Sequence, residues 1–304
     1  MRLAAVHLRA TIAQIYDDIK ETDPTDTVLL FTALTLLFHR PLYGLTEFLM
    51  ITIFVWPRLR KNPLLWLAAL VLLSVAGMSS WYKIDNHQYL LIYWCLSVFL
   101  MLLTDVKDRT HCIERSSSIL IALVMLLACA QKLRTPSYTD GSFFEYTLLF
   151  DQRFVSIAWL IGGVTPFDLE ENRLLQQQMA NSYLSGSLIN SVNIYPTDQI
   201  RWLSVGITWF AVLFEGAIGI LFLFPNPSNR LHFLRACLLI IFIITTYAIA
   251  PVIGFGQLII TMALASVPFH YKKLRLILMA LFLILPFFDI FPPVKILQLM
   301  MNFF

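Results

Sequence analysis

The chain has 304 residues, of which 58% are hydrophobic and only 13% are charged. A soluble domain has about 45–50% apolar and about 25% charged residues, so this composition excludes an ordinary soluble protein and predicts an integral membrane protein. The net charge of +3 is too small to predict a nucleic-acid partner. Long apolar runs favour helices over the alternating strands of a membrane β-barrel, so the expected partner is the lipid bilayer.

The N-terminal segment, residues 1–26, differs from the rest of the chain. It has no uninterrupted apolar core and carries the acids Asp17, Asp18 and Glu21, so it lacks the pattern of a secretory signal. We interpret it as an amphipathic helix on the membrane surface. No hydrophilic region is long enough for a separate soluble domain, so we expect residues 1–304 to form a single membrane domain.

Hydrophobic segments follow one another along the chain. The first, from Thr27 to Trp56, is interrupted at residues 39–41. It predicts either one kinked helix or a short membrane-dipping helix followed by a span that begins at Pro41. Further spans are predicted at residues 63–81, 87–103, 116–132, 202–224, 232–250, 253–269 and 274–291. The predicted fold is an all-α polytopic transmembrane bundle of about seven to nine spans.

Lysine and arginine are concentrated in alternate loops. One set of loops contains Arg58, Arg60, Lys61, Lys107, Arg109, Arg115, Arg230, Arg235, Lys272, Lys273 and Arg275. Short loops rich in these residues remain on the cytoplasmic side. The opposite ends of the spans, with His87 and Lys132, should therefore face outward. We expect a bacterial inner-membrane protein with its active face outward.

A long insert, residues 134–198, separates two of the predicted spans on the outward side. Loops of this length are often functional or disordered. Its first part, from Phe143 to Ile161, alternates aromatic and aliphatic residues and predicts an interfacial helix. Its second part, from Asp168 to Asn193, is polar with a weak helical stripe. It predicts a lid over the outward face, and a solvated connector is the alternative.

Lys132 and His87 are the candidate catalytic residues. His87 begins one predicted span and Lys132 ends the next, so an antiparallel pair of helices brings both to one membrane boundary. A partly desolvated lysine is a usable general base, and a histidine can hold a substrate or a reacting oxygen. Gln131 lies beside this base and could hydrogen-bond nearby groups. The alternatives are a lysine that snorkels to the interface and a histidine at a helix start.

Acids within apolar segments are the second kind of candidate, because charged residues are costly in a bilayer and often functional. These acids are Glu47, Glu215 and Asp289. The deepest is Glu215, which we expect to be protonated and bonded to another helix, with Thr245, Thr246 or Gln257 as possible partners. A structural bond and a substrate- or proton-linked role are both open. Asp289 could face the His87–Lys132 region. No histidines or cysteines at ligand spacing predict a metal site.

Two short motifs carry a resemblance to a known family. Residues 86–90 read Asn-His-Gln-Tyr-Leu, and residues 128–133 read Ala-Cys-Ala-Gln-Lys-Leu, with Gly141 following. From about residue 40 to about residue 270 the chain resembles the horizontally transferred transmembrane (HTTM) domain family. That family includes the membrane part of the vitamin K-dependent gamma-carboxylase. Cys129 stands where the family has a glycine.

The resemblance implies a function. Lys132 would be the base and His87 its helper in a quinol-linked, oxygen-dependent modification of a peptide, with a quinone as cofactor. Some shorter bacterial relatives are accessory proteins that help mature a secreted peptide toxin. The alternative is therefore a non-catalytic membrane accessory protein for maturation or export of a secreted peptide.

Overall fold

The computed structural model describes residues 23–39, 45–79, 81, 86–185, 197–224, 228–249 and 252–290. Within these ranges the regular structure is helical and no strand occurs, which confirms the predicted all-α class. The helices are α1 (Pro24–His39), α2 (Leu45–Val55), α3 (Pro63–Ser79), α4 (Asn86–Leu103), α5 (Arg109–Arg134), α6 (Pro136–Thr139), α7 (Ser142–Phe150), α8 (Val155–Leu160), α9 (Pro166–Ser185), α10 (Asp198–Phe222), α11 (Asn229–Ile249), α12 (Ile253–Ser266) and α13 (Lys272–Ile290). The predicted amphipathic segment, residues 1–26, lies almost wholly outside the described residues.

Four of the described helices, α4, α5, α10 and α11, are long and apolar enough to cross a membrane. Shorter apolar helices occur at Pro24–Phe38, Pro63–Ser79 and Gly254–Ser266. A helix rises 1.5 Å per residue, so crossing a hydrocarbon core of about 30 Å takes about 20 residues. The chain therefore has the helices of an integral membrane protein.

The first hydrophobic region contains two helices rather than one. α1 and α2 lie on either side of residues 40–44, which are outside the described residues, and the two helices contact each other. α2 has 11 residues and is about 16 Å long, which is short for a crossing. The residues between the two helices, 40–44, include Pro41, where the sequence predicts an interruption.

Two long helices begin earlier than the apolar segments predicted. α5 begins at Arg109 rather than Ser116, and α10 begins at Asp198 rather than Trp202. Thr197 explains the start of α10, because its side-chain oxygen accepts a hydrogen bond from the backbone N–H of Ile200 at 3.1 Å. Hydropathy marks where the apolar residues end, whereas the helix continues into the polar boundary until a cap ends it.

The chain divides into two compact units. The first contains Met1–Ile121, Pro225–Ala236 and Gly254–Leu283, and the second contains Ala122–Phe224, Cys237–Ile253 and Ile284–Phe304. The prediction of a single domain is not tested by this division. Lys132 and Glu215 belong to the second unit, and His87 belongs to the first.

Three arginines in the first unit cap the C-terminal ends of helices. Arg60 donates to Ile53 O at 3.4 Å and to Phe54 O at 3.3 Å, at the end of α2. Arg109 does the same for α4, and Arg275 does so for α12. The last carbonyls of a helix lack intrahelical partners and carry its negative dipole end, so a guanidinium there both donates and neutralises.

The insert, residues 134–198, is built from short helices in the second unit. Where one interfacial helix was predicted from Phe143 to Ile161, the structure has α7 and α8 with a 3₁₀ turn between them. Asp151 begins this turn by accepting the backbone N–H of Arg153 at 2.9 Å. Burial alone would raise the pKa of Asp151, but the hydrogen bonds from Arg153 outweigh it and lower that pKa. The local Asp–Arg contact therefore explains the break.

The polar part of the insert forms α9, which packs against α7 and α8. Leu169 and Asn172 are buried on its inner face. Arg173 donates to Phe150 O at 3.3 Å, and Gln176 donates to the Tyr146 hydroxyl at 2.5 Å. The described part of this segment, up to Ser185, is therefore a docked helix rather than a loose connector, and residues 186–196 lie outside the described residues.

Candidate functional site

The candidate site is an ion pair between two apolar helices of the second unit. Lys132, in the last turn of α5, donates to both carboxylate oxygens of Glu215 on α10, at 2.7 and 2.6 Å. The side chains are only 15% and 10% exposed. Hydrogen bonds between ionised groups are shorter and about twice as strong as those between neutral groups. The structure thus gives Glu215 a partner on another helix, but this partner is Lys132 rather than Thr245, Thr246 or Gln257.

Close approach of the two helices makes the pair possible. A Cβ added to Gly219 on α10 would lie 2.6 Å from Cγ of Leu126 on α5 and 3.2 Å from its backbone nitrogen. At Gly216 the nearest atom would be Cys129 Sγ at 3.4 Å. Small residues at helical spacing allow membrane helices to approach in this way. Gly219 therefore sets the separation at which Lys132 reaches the carboxylate.

Aromatic residues of the insert lie next to the ion pair. The Tyr138 ring centroid is 6.0 Å from Lys132 Nζ, and the ring stacks on Phe143 at 4.1 Å. Phe144 completes the group with edge-to-face contacts to both rings. Burial raises the pKa of Tyr138, and the negative charge of Glu215 raises it further. Tyr138 is therefore close enough to respond electrostatically to the pair.

Gly141 joins this aromatic group to α10. Its φ of +85° is the left-handed conformation that favours glycine. An added Cβ would lie 2.8 Å from Val205 Cγ2, 3.1 Å from Ser204 Oγ and 3.2 Å from the Val205 backbone nitrogen. The turn before α7 therefore lies directly on α10. The positive φ and this close contact explain why residue 141 is a glycine.

The buried face of α10 continues beyond the pair. Ser204 and Thr208 are buried on the same helical face as Glu215, and each donates a hydrogen bond to a backbone carbonyl of its own helix. Cys129 Sγ donates to Val212 O at 3.5 Å. These polar side chains therefore all have hydrogen-bond partners. Among the described residues, Lys132 and Glu215 are the charged groups buried at this face.

The other predicted site residues are placed as follows. His87 is the second residue of α4 and is half-buried in the first unit, so its pairing with Lys132 stays a prediction. Gln131 is exposed, and its backbone carbonyl accepts from Thr135. Asp289 lies in α13, and its side chain is outside the described residues. Their roles remain predictions.

An apolar groove occupies the opposite face of α10. Its volume is about 510 Å³, and its lining residues are Ile161, Gln199, Trp202, Leu203, Gly206, Ile207, Phe210 and Ile249. A Cβ added to Gly206 would meet nothing within 4 Å, so this glycine opens into the groove. Gly206 precedes Glu215 by two and a half helical turns, which puts the two on opposite faces. The groove and the ion pair are therefore separate features of one helix.

Comparisons with protein-family models, with curated proteins and with solved structures find no match to this chain. The resemblance to the HTTM family therefore remains a prediction from the motifs at residues 86–90 and 128–133.

Proposed function

We propose that this protein is an integral membrane enzyme whose proton-transfer centre is the Lys132–Glu215 pair. The observation that supports it is the nearly buried, bidentate ion pair between two apolar helices. Ionisable residues inside membrane segments are costly and commonly serve function. A pair that served structure alone could be replaced by apolar residues of similar volume without loss of stability.

The chemistry of a lysine base requires that its ammonium first lose a proton. Glu215 provides an acceptor for that proton, because both of its oxygens lie within 2.7 Å of Lys132 Nζ. Transfer within the pair leaves a neutral amine and a neutral acid, and an apolar environment favours neutral forms over charged ones. The amine then takes a proton from the substrate as a general base. His87 is the proposed helper, on the resemblance alone.

The substrate we propose is a secreted peptide, as the resemblance implies. The same resemblance implies a quinone, but the described residues do not fit one well. Tyr138 and Phe143 are the rings nearest the base, and they stack on each other at 4.1 Å, which leaves no slot between them for a third ring. The large groove lies on the opposite face of α10. We therefore derive no step through a quinone.

The membrane orientation we propose follows the basic loops. These loops belong on the cytoplasmic side, and α5 runs from Arg109, at one of them, to Lys132 near its other end. Lys132 then faces outward, to the periplasm of a bacterial inner membrane. We also propose that helices shorter than the four long ones contribute crossings, for a total of seven to nine.

A non-catalytic accessory protein is the second candidate function, and the groove on α10 favours it. The groove is apolar, about 510 Å³ in volume, and bordered by Trp202, which is 78% exposed. Grooves of this kind receive the apolar face of a partner helix. In this case the ion pair would be structural, and the protein would bind a secreted peptide without modifying it.

The experiment is mass spectrometry of the peptides that co-purify with the full-length protein in lipid nanodiscs, and the change in peptide mass made by the wild-type protein is the activity. Lys132→Ala should abolish this mass change, and Lys132→Arg should abolish it too, because arginine stays protonated and cannot act as a base. Arg134→Ala is the matched control: it removes an exposed cation two residues away on the same helix and should keep full activity.

The outcomes separate the two candidate functions. A mass change that survives in Lys132→Arg would refute the base. If the wild-type protein retains a peptide of unchanged mass, and if Trp202→Ala releases that peptide while Lys132→Arg does not, the accessory function replaces the enzyme. Mass spectrometry of organic extracts from the same preparations tests whether a quinone is bound.

A further inference from the structure

The first unit has an end where the N-termini of three helices meet. Glu114, near the start of α5, lies 3.9 Å from Nε2 of His232, near the start of α11. The Tyr271 hydroxyl, just before α13, donates to the backbone carbonyl of Asn229, at the start of α11, at 2.7 Å. Each helix N-terminus carries a partial positive charge and unpaired N–H groups, so this end attracts anions.

Basic side chains are concentrated at the same three helix starts. Together they form what we call the basic patch: Arg115, Arg230, Arg235, Lys272, Lys273 and Arg275, with His111, His232 and His270 and the single carboxylate Glu114. Asp105 and Asp108 lie in the preceding loop, where Lys107 and Arg109 balance them. The patch has six permanent cations against one acid, whereas the whole chain has a net charge of only +3. The start of α1 lies nearby, since Pro24 and Thr25 line a small cavity with Glu114 and Arg275, and its acids Asp23 and Asp26 lie 3.0 and 3.9 Å from Lys61 Nζ. The positive charge of the patch is therefore local and only partly compensated.

One guanidinium of the patch has unused hydrogen-bonding capacity. Arg275 is only 3% exposed, and its Nη1 donates to Leu264 O at 2.5 Å and Val267 O at 3.2 Å. Its Nη2 is buried and has no hydrogen-bond partner among the described residues. A buried, charged donor without a partner is costly, and this cost indicates a polar ligand or water that is bound there in the working protein.

The setting of the patch identifies the anion. Arg275 lies over the Phe269 ring, with its Cζ 5.7 Å from the ring centroid, and Tyr271 follows in the same loop. Aromatic residues with lysine and arginine at the ends of apolar helices are typical of the membrane–water boundary. At such a boundary the available anion is the phosphate of a lipid headgroup, and anionic lipids attract basic clusters strongly.

We propose that the basic patch binds the phosphate headgroup of an anionic phospholipid. Arg230 and Lys273 are exposed and Lys272 is half-buried, so these three side chains can reach a headgroup at the surface. The three helix N-termini add their partial charges, and the buried Arg235 and Arg275 supply positive charge from beneath. This site does not depend on the proposed enzyme function, because it lies in the first unit.

The experiment measures lipid retention by the full-length protein in detergent, by native mass spectrometry with dioleoyl phosphatidylglycerol or dioleoyl phosphatidylcholine. The triple variant Arg230→Gln, Lys272→Gln, Lys273→Gln should bind phosphatidylglycerol about 125-fold more weakly, since each removed charge costs about five-fold near an anionic surface. The matched control is Arg58→Gln, Arg134→Gln, Arg201→Gln. It removes the same charge from exposed positions outside the patch and should retain the lipid.

Three results would overturn the proposal. Equal retention of the two lipids would show that the headgroup charge is not recognised. An equal loss in both triple variants would show a dependence on total charge rather than on the patch. Displacement of the lipid by millimolar inorganic phosphate would identify free phosphate as the ligand. If the triple variant does not fold, the exposed single change Lys273→Gln, with an expected five-fold loss, tests the same claim.

Discussion

A double-mutant cycle on Lys132 and Glu215 separates a functional ion pair from a structural one. Lys132→Met leaves the carboxylate unpaired between two apolar helices, and Glu215→Leu leaves the ammonium unpaired. Because the two side chains are only 15% and 10% exposed, solvent screens the pair weakly. Removing one member of a buried pair costs about 3–5 kcal/mol, whereas replacing both with apolar side chains of similar volume is about neutral. We expect both single variants to be strongly destabilised and the double variant to recover.

The free energy of unfolding would be measured by SDS titration in mixed micelles, and the mass change of the retained peptide would be measured on the same four proteins. The double variant should unfold at nearly the same SDS fraction as the wild type and yet have no activity. Stability would then be independent of the charges, while catalysis would require them.

Additive destabilisation would refute the reasoning. If the double variant loses as much free energy as the two single variants together, the side chains do not interact, and the 2.6 Å contact is not made in the membrane. If the double variant keeps full activity, the pair is formed but serves structure alone, and the accessory function gains support.

Three further predictions concern packing and buried polar groups. Gly219→Ala should lower the free energy of unfolding by about 1–3 kcal/mol, because the new methyl group would overpack against Leu126; Gly206→Ala, which opens into the groove, is the control and should not destabilise. Gly141→Ala should cost about 1–2 kcal/mol from its left-handed backbone alone, measured by the same SDS titration, and a neutral effect would contradict the φ of +85°. Gln257 is fully buried with both amide atoms unpartnered among the described residues, so Gln257→Met should stabilise by about 1–3 kcal/mol; a loss of stability would show that water or a ligand occupies that position.

Much of the fold is predictable from local sequence. Long apolar segments predicted α4, α5, α10 and α11 as membrane helices, and the break after His39 was predicted from Pro41 and its polar neighbours. The predicted ends of the helices were less accurate, because a helix continues beyond its apolar residues to a cap such as Thr197. The insert was the weakest part, since short helices joined by turns have no strong periodicity.

The ion pair was not predicted, although both members were singled out. The sequence offers partners on other helices, His87 for Lys132 and Thr245, Thr246 or Gln257 for Glu215, but the actual pairing depends on which helices touch and at what register. A signal was present in the sequence: an acid and a lysine in apolar spans have few possible partners except each other. The small glycines at 216 and 219 follow the acid one helical turn apart, and they mark the face that meets α5.

The arginine caps of the first unit give the basic loops a second task. In the proposed orientation, Arg60, Arg109 and Arg275 add to the positive charge of the cytoplasmic side during insertion, and they also donate to the carbonyls that end α2, α4 and α12. Lysine would serve the first task equally well but lacks the planar fork of donors. Exchange of all three arginines for lysine should therefore give a protein that inserts in the correct direction but in which α2, α4 and α12 fray at their C-terminal ends. One kind of substitution would then separate orientation during biosynthesis from stability afterwards.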